Sequence, residues 1–262
     1  MPHCMVVDAF TDQPFRGNPA AVVMDEPGRT DAWRQAVAAE FNLSETAFLA
    51  PQAQGRWGLR WFTPTVEVRL CGHATLASVQ ALLTWEKLVR GAEVVFATRA
   101  GDLRCRERGG LIGLDLPACP VLPVAAPAGL WEALGLAGGA VHADEEDLLV
   151  EVADAAALRA LAPDFRALAQ VPCRGVCVTA PGEAGADFVS RFFGPRVGVN
   201  EDPVTGSAHC RLAPYWAARL GKSRLLGRQL SARGGEVQVE LKGDRVELVG
   251  RAVVVTRGNL WV

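Results

Sequence analysis

The chain is poor in lysine, in unbalanced charge and in long apolar runs. Lysine occurs three times, at Lys87, Lys222 and Lys242, against 24 arginines. Net charge is −2 with acids and bases intermixed, so no basic patch points to nucleic acid. No apolar run is long enough to span a membrane and no signal peptide is evident, so no membrane partner and a cytoplasmic location are expected. Gly and Pro are spread through turns rather than gathered in a low-complexity tract. The seven cysteines are odd in number and scattered, which is the usage of reduced thiols. Cys173 and Cys177 lack a second pair or a nearby histidine, so they read as buried strand thiols. No cluster of histidine and carboxylate along the sequence suggests a metal.

What the chain has is a copy of itself. Phe62, Pro64, Val66 and Val68 recur 131 residues on as Phe193, Pro195, Val197 and Val199. Gly72 and Ala74 recur 134 residues on as Gly206 and Ala208, so the second copy carries three extra residues just before its glycine. The new offset persists: Arg99, Gly101, Leu103, Gly109, Ile112 and Leu114 answer to Arg233, Gly235, Val237, Gly243, Val246 and Leu248. A repeat this long is a duplicated domain rather than a short-period solenoid. The expected domains are residues 1–118 and 128–262, with a return of the last strand to the first domain left open. Half the residues are apolar, enough for two cores of ordinary size.

Each half reads as α+β. Strands are expected at His3 to Ala9 and Ala20 to Met24, around the turn-rich Gln13 to Pro19. Thr30 is placed to cap a helix running to Phe41, with Trp33, Val37 and Phe41 at spacing four. Strands at Leu43 to Pro51 and Gly58 to Phe62 follow, then a helix from Ala74 to Leu88 and a meander with Ile112, Leu114 and Leu116 alternating. The second half repeats this order, with a helix from Ala208 to Leu220. The expectation is two pseudo-symmetric domains, each a mostly antiparallel sheet wrapped around one central helix.

Both copies put a glycine directly before that helix. First-turn N–H groups lack intrahelical partners and the helix dipole favours negative charge there. Gly72-His73 and Gly206-Ser207 are therefore candidate carboxylate-binding starts. Ordinary capping, by Thr205 or Ser207, is the competing reading for either one alone. Two matched copies favour a small anionic ligand, expected in a cleft between the halves.

The copies differ where proton chemistry is possible. Glu45 aligns with Gly175, His73 with Ser207, and Asp202 lies in the three-residue insertion. An acid and an imidazole in one half, with an acid and a hydroxyl in the other, suit proton transfer at carbon. Each also has a plainer reading: Glu45 in a strand-end salt bridge, Asp202 starting a turn before Pro203, His73 as a core residue.

At these residues the chain resembles the PhzF family of phenazine-biosynthesis isomerase-like proteins, which share a fold with diaminopimelate epimerase. The shared segments are Val7 to Thr11, Gly17 to Ala20, Leu43 to Phe48, Leu70 to Thr75 and Glu201 to His209. The resemblance implies Glu45 as acid/base residue, with His73, Asp202 and Ser207 holding substrate and assisting proton movement. It also implies Asn18 and the Gly72 and Gly206 loops as lining, and a homodimer. The reaction implied is a cofactor-free isomerisation, for which the family's example is a dihydro-hydroxyanthranilate becoming an aminoketone. Related epimerases oppose two cysteines. Here Cys71 stands beside Gly72, but its repeat counterpart is Thr205, which argues against that mechanism. No lysine lies in a site motif, so pyridoxal phosphate is not expected, and no cofactor is assigned. Two functions remain: a cofactor-independent isomerase or epimerase acting on a small carboxylate, or a non-catalytic carboxylate-binding or regulatory protein.

Overall fold

The computed structural model describes residues 1–262. The chain forms two units, Met1–Leu116 with Glu247–Val262, and Pro117–Val246. In chain order the first repeat forms β1 (His3–Ala9), β2 (Asn18–Met24), α1 (Asp31–Phe41), β3 (Glu45–Pro51), β4 (Trp57–Phe62) and β5 (Glu67–Val68). It continues with α2 (Gly72–Thr84), β6 (Glu93–Thr98), β7 (Gly101–Arg108) and β8 (Leu111–Pro117). The second repeat forms β9 (Leu122–Val124), α3 (Leu130–Leu134), β10 (Val141–Ala143), β11 (Asp147–Glu151), α4 (Ala155–Ala160), α5 (Phe165–Leu168), β12 (Gly175–Pro181) and β13 (Phe188–Gly194). It ends with β14 (Val199–Asp202), α6 (Gly206–Leu220), β15 (Arg224–Gln229), β16 (Gly235–Lys242), β17 (Arg245–Gly250) and β18 (Ala252–Asn259).

The pairings repeat as the sequence does. β2 runs parallel to β3, and β11 parallel to β12. β3–β4 and β12–β13 are antiparallel; β4–β6 and β13–β15 are parallel. The fold is α+β, with mixed, largely antiparallel sheets. β1 takes its partner from the far end of the chain, with β18 lying antiparallel on it, whereas β10 in the second unit takes the nearby β9, also antiparallel. The Pro- and Ala-rich stretch from Cys119 to Pro127 therefore contains a strand of the second unit.

Each unit closes on its glycine-led helix. α2 packs on β1, β2, β3 and β18, and nearly every residue from His73 to Leu82 is buried. It begins two residues before the expected Ala74 and ends at Thr84, short of Leu88. Glu86 takes a left-handed φ of 59°, and Lys87 N–H returns to the Leu82 carbonyl, which closes the helix end. α6 packs on β15 and β16 and likewise begins two residues early. Pro214 sits inside it and has no N–H for the Cys210 carbonyl. The Cys119 N–H takes that carbonyl instead, at 3.0 Å.

An arginine–glutamate clamp is duplicated too. Arg60 makes two 2.8 Å bonds to Glu67, joining β4 to β5. Arg191 bonds Glu201 at 2.7 and 3.0 Å, joining β13 to β14. Each guanidinium also lies over the ring two residues on, Phe62 and Phe193. The clamps brace the short strand that leads into each helix start.

Candidate active site

In the first unit, Gly17 makes the entry to β2 possible. Its φ is +62°, and a Cβ there would lie 2.1 Å from the Ala9 carbonyl oxygen, so only glycine fits. Asn18 follows as the first, fully buried residue of β2. α1 is capped by Thr30, whose hydroxyl accepts from Trp33 N–H, and ends at Asn42 in a left-handed conformation. That stop leaves Glu45 at the head of β3, beside Ala20 of β2. α2 supplies His73 from its first turn.

These elements converge. Asn18 Nδ2 lies 3.2 Å from His73 Nδ1, and Glu45 Oε2 lies 3.4 Å from His73 Nε2. Cys71, at the N-cap of α2, places Sγ 3.4 Å from His73 Nδ1. His73 is almost wholly enclosed, and that burial pulls its pKa down to about 3. The imidazole is therefore neutral at ordinary pH. Glu45 keeps about a fifth of its side chain exposed, enough to meet a ligand. Cys71 gives no side-chain cap to α2, so its first-turn N–H groups are not capped from that position.

In the second unit, Asp202 ends β14 and Gly206 opens α6. Thr205 stands at the N-cap, but its side chain makes no cap bond. Its hydroxyl donates instead to Asp202 Oδ2 at 2.5 Å. Capping by Thr205, the plainer reading of this motif, is thus not what the threonine does. Gln229, buried at the end of β15, ties the loop together. Its Oε1 accepts from Thr205 N–H at 2.9 Å, and its Nε2 donates to the Asp202 carbonyl at 2.6 Å. His209 lies 2.8 Å from the Thr205 carbonyl through Nδ1, and burial lowers its pKa to about 4. The Ser207 hydroxyl accepts from Arg174 at 3.1 Å, and Arg174 is in turn held by the buried Asp147. Ser207 can therefore direct its own hydrogen at a ligand.

The structure thus brings Asn18, Glu45, Gly72 and His73 together in the first unit, and Asp202, Gly206 and Ser207 in the second. Sequence reasoning missed Gln229, His209 as a loop anchor, and Arg174. No local pattern marks Gln229 or Arg174; His209 stood in a recognised segment without an assigned task. The sequence also gave no metal signal, yet Glu45, Cys71 and His73 each place one ligand atom within 4.8 Å of the others.

The chain matches the family model of phenazine biosynthesis-like proteins over residues 7–258. It is 52% identical over 255 residues to an uncharacterized isomerase of Pseudomonas aeruginosa, covering 97% of this chain and 96% of the relative. A PhzF-family crystal structure from Enterococcus faecalis superposes with a TM-score of 0.94 at 37% identity, covering 100% of this chain and 99% of that one. A hydroxyproline epimerase from Agrobacterium vitis, solved with bound trans-4-hydroxy-L-proline, shares the fold alone, at TM-score 0.65 and 14% identity over 98% of this chain and 91% of the epimerase. With a match running almost end to end, the chain belongs to the PhzF family of phenazine biosynthesis-like proteins.

Proposed function

We propose that the protein is a cofactor-independent isomerase that moves a proton between carbons of a small carboxylate substrate. The observation that carries this reading is Glu45, part-exposed, at 3.4 Å from a buried neutral histidine and beside a helix start with no side-chain cap at Cys71. An anion site alone has no use for such an acid. In the reaction, Glu45 takes a proton from one carbon while the bonding electrons spread into the adjoining unsaturated system. The same carboxyl then returns the proton to another carbon. His73 is fixed by Asn18 and, being neutral, serves as a hydrogen-bond partner that adds no fixed charge. The Gly72 start offers N–H groups to a carboxylate. Asp202, Gly206 and Ser207 are assigned the holding of substrate. The isomerase name of the Pseudomonas relative supports an enzymatic role. Action as an epimerase would use the same groups.

A second reading, a carboxylate-binding or regulatory protein, rests on the two helix starts whose N-cap side chains make no cap bond, since these need no acid. Deuterium wash-in separates the two. Small cyclic and amino-acid-like carboxylic acids are incubated with protein in heavy water, and carbon-bound deuterium is read by mass spectrometry. Incorporation by the wild type is expected, with Glu45→Gln slower by about 10²–10⁴ and its melting curve little changed. Wild-type exchange in the Gln variant would move the proton transfer to another group. No exchange with any acid that binds would favour the second reading. A homodimer and a cytoplasmic location complete the proposal, the first measured by light scattering.

A further inference from the structure

We infer that Glu45, Cys71 and His73 form a zinc(II) site, and that zinc is a reversible inhibitor held by the very groups that would move the proton. The inhibitory half of this inference rests on the function proposed above; the binding half does not.

Three donors of different kinds meet here: a thiol, an imidazole and a carboxylate. Hard ions such as magnesium and calcium prefer oxygen alone, whereas zinc takes sulfur, nitrogen and oxygen together. The spacing suits zinc as well. Zinc–nitrogen and zinc–oxygen bonds of about 2.0–2.1 Å at tetrahedral angles put the two donor atoms roughly 3.3 Å apart. His73 Nε2 and Glu45 Oε2 are 3.4 Å apart. All three ligand atoms lie within 4.8 Å of one another, and Cys71 Sγ, 3.4 Å from Nδ1, would have to swing towards the Nε2 edge for the three to share one ion.

The surroundings prepare these donors. Cys71 occupies an N-cap without spending its side chain on a cap bond. Its backbone is pinned from the other side, since Thr75 donates to the Cys71 carbonyl at 2.5 Å. His73 Nε2 is buried and makes no hydrogen bond. A ligating histidine ordinarily donates its second ring N–H to a carbonyl or carboxylate. Asn18 stands 3.2 Å from Nδ1, and a flip of its amide presents the oxygen that this requires. Three protein ligands leave the fourth zinc position to water, the open arrangement of an exchangeable site. On binding, the Cys71 thiol gives its proton to solvent and the sulfur lone pair goes to the metal, with no change of oxidation state. Glu45, once coordinated, no longer accepts a proton from carbon.

The test titrates metal-free protein with cobalt(II), then displaces it with zinc(II). A near-ultraviolet thiolate-to-cobalt band is expected at one equivalent. It should vanish in Cys71→Ser and persist in Cys173→Ser, a control thiol outside the site. Zinc affinity, read against a chromophoric chelator, should fall by more than about tenfold in Cys71→Ser and in Glu45→Gln. Both substitutions are near-isosteric, and melting curves taken alongside confirm a folded chain. Retention of the band in Cys71→Ser, or no zinc bound by wild type, overturns the inference. Wash-in by metal-free protein reports separately on the proposed reaction. Zinc should suppress it and a chelator restore it; zinc binding at one equivalent without suppression overturns the inhibitory half.

Discussion

Two buried histidines set a pH limit on this protein. His73 and His209 are held down to about 3 and about 4 by burial, while an unfolded histidine titrates near 6.5. Below 6.5 the unfolded chain therefore binds more protons than the folded one, and stability falls as pH drops. The loss runs from about 6.5 down towards 4, with a slope approaching 1.4 kcal/mol per pH unit for each histidine. His209→Asn should flatten that slope, because asparagine can still donate to the Thr205 carbonyl yet takes no proton. Urea midpoints between pH 4.5 and 7.5 measure it, and an unchanged slope would place the titration elsewhere. The same neutrality bears on chemistry. Any pH dependence of exchange between pH 5 and 8 should not originate in His73.

The repeated elements carry unequal loads. Arg60 and Arg191 hold equivalent clamps; Arg60 adds a 2.6 Å bond to the exposed Asp31, whereas Arg191 is more enclosed and adds bonds to the Leu158 and Leu161 carbonyls at the end of α4. Its removal leaves Glu201 and the Leu161 carbonyl short of a partner, while the Leu158 carbonyl keeps the Leu161 N–H. Arg191→Ala is expected to cost about 2–4 kcal/mol, and Arg60→Ala about 1–2, since the latter pair is better screened by solvent. Denaturant midpoints of the two variants give the order, and equal losses would mean that the α4 contacts contribute little. The clamp was legible in retrospect, because Arg60 and Arg191 share the 131-residue offset. Its glutamates were obscured by the three-residue insertion, which moves Glu67's partner to position 201. The α6 proline is a different case. Nothing near Pro214 announces that its vacated carbonyl is met by Cys119, ninety-odd residues earlier in the chain.

At the scale of the molecule, the last strand stabilises the first. β18 pairs with β1 from His3 to Ala9 and packs on α2. Truncation after Gly250 should strip protection from β1 and β2 while leaving β11 to β13 protected, as read by hydrogen exchange. Uniform loss of protection would instead show one cooperative body. β5, β6, β9, β10, α3, α5, β14 and β15 were not readable from the sequence, while the duplication, the α+β class, the main strands and helices and the glycine-led helices were. Each depends on local periodicity, turn chemistry or self-similarity, which a linear string preserves. The string also offered Asn18, Glu45 and His73, through motifs. It could not supply the Cys71 thiol as a neighbour of His73, the hold of Gln229 on Asp202 and Thr205, or the Arg174 bond to Ser207. Nor could it allot β9 and β18 to their sheets. Apart from Cys71–His73 and β9–β10, which are close in sequence, those are pairings between residues far apart in sequence, fixed by which backbone groups and buried polar atoms find partners once the sheets close. Only the tertiary structure decides them.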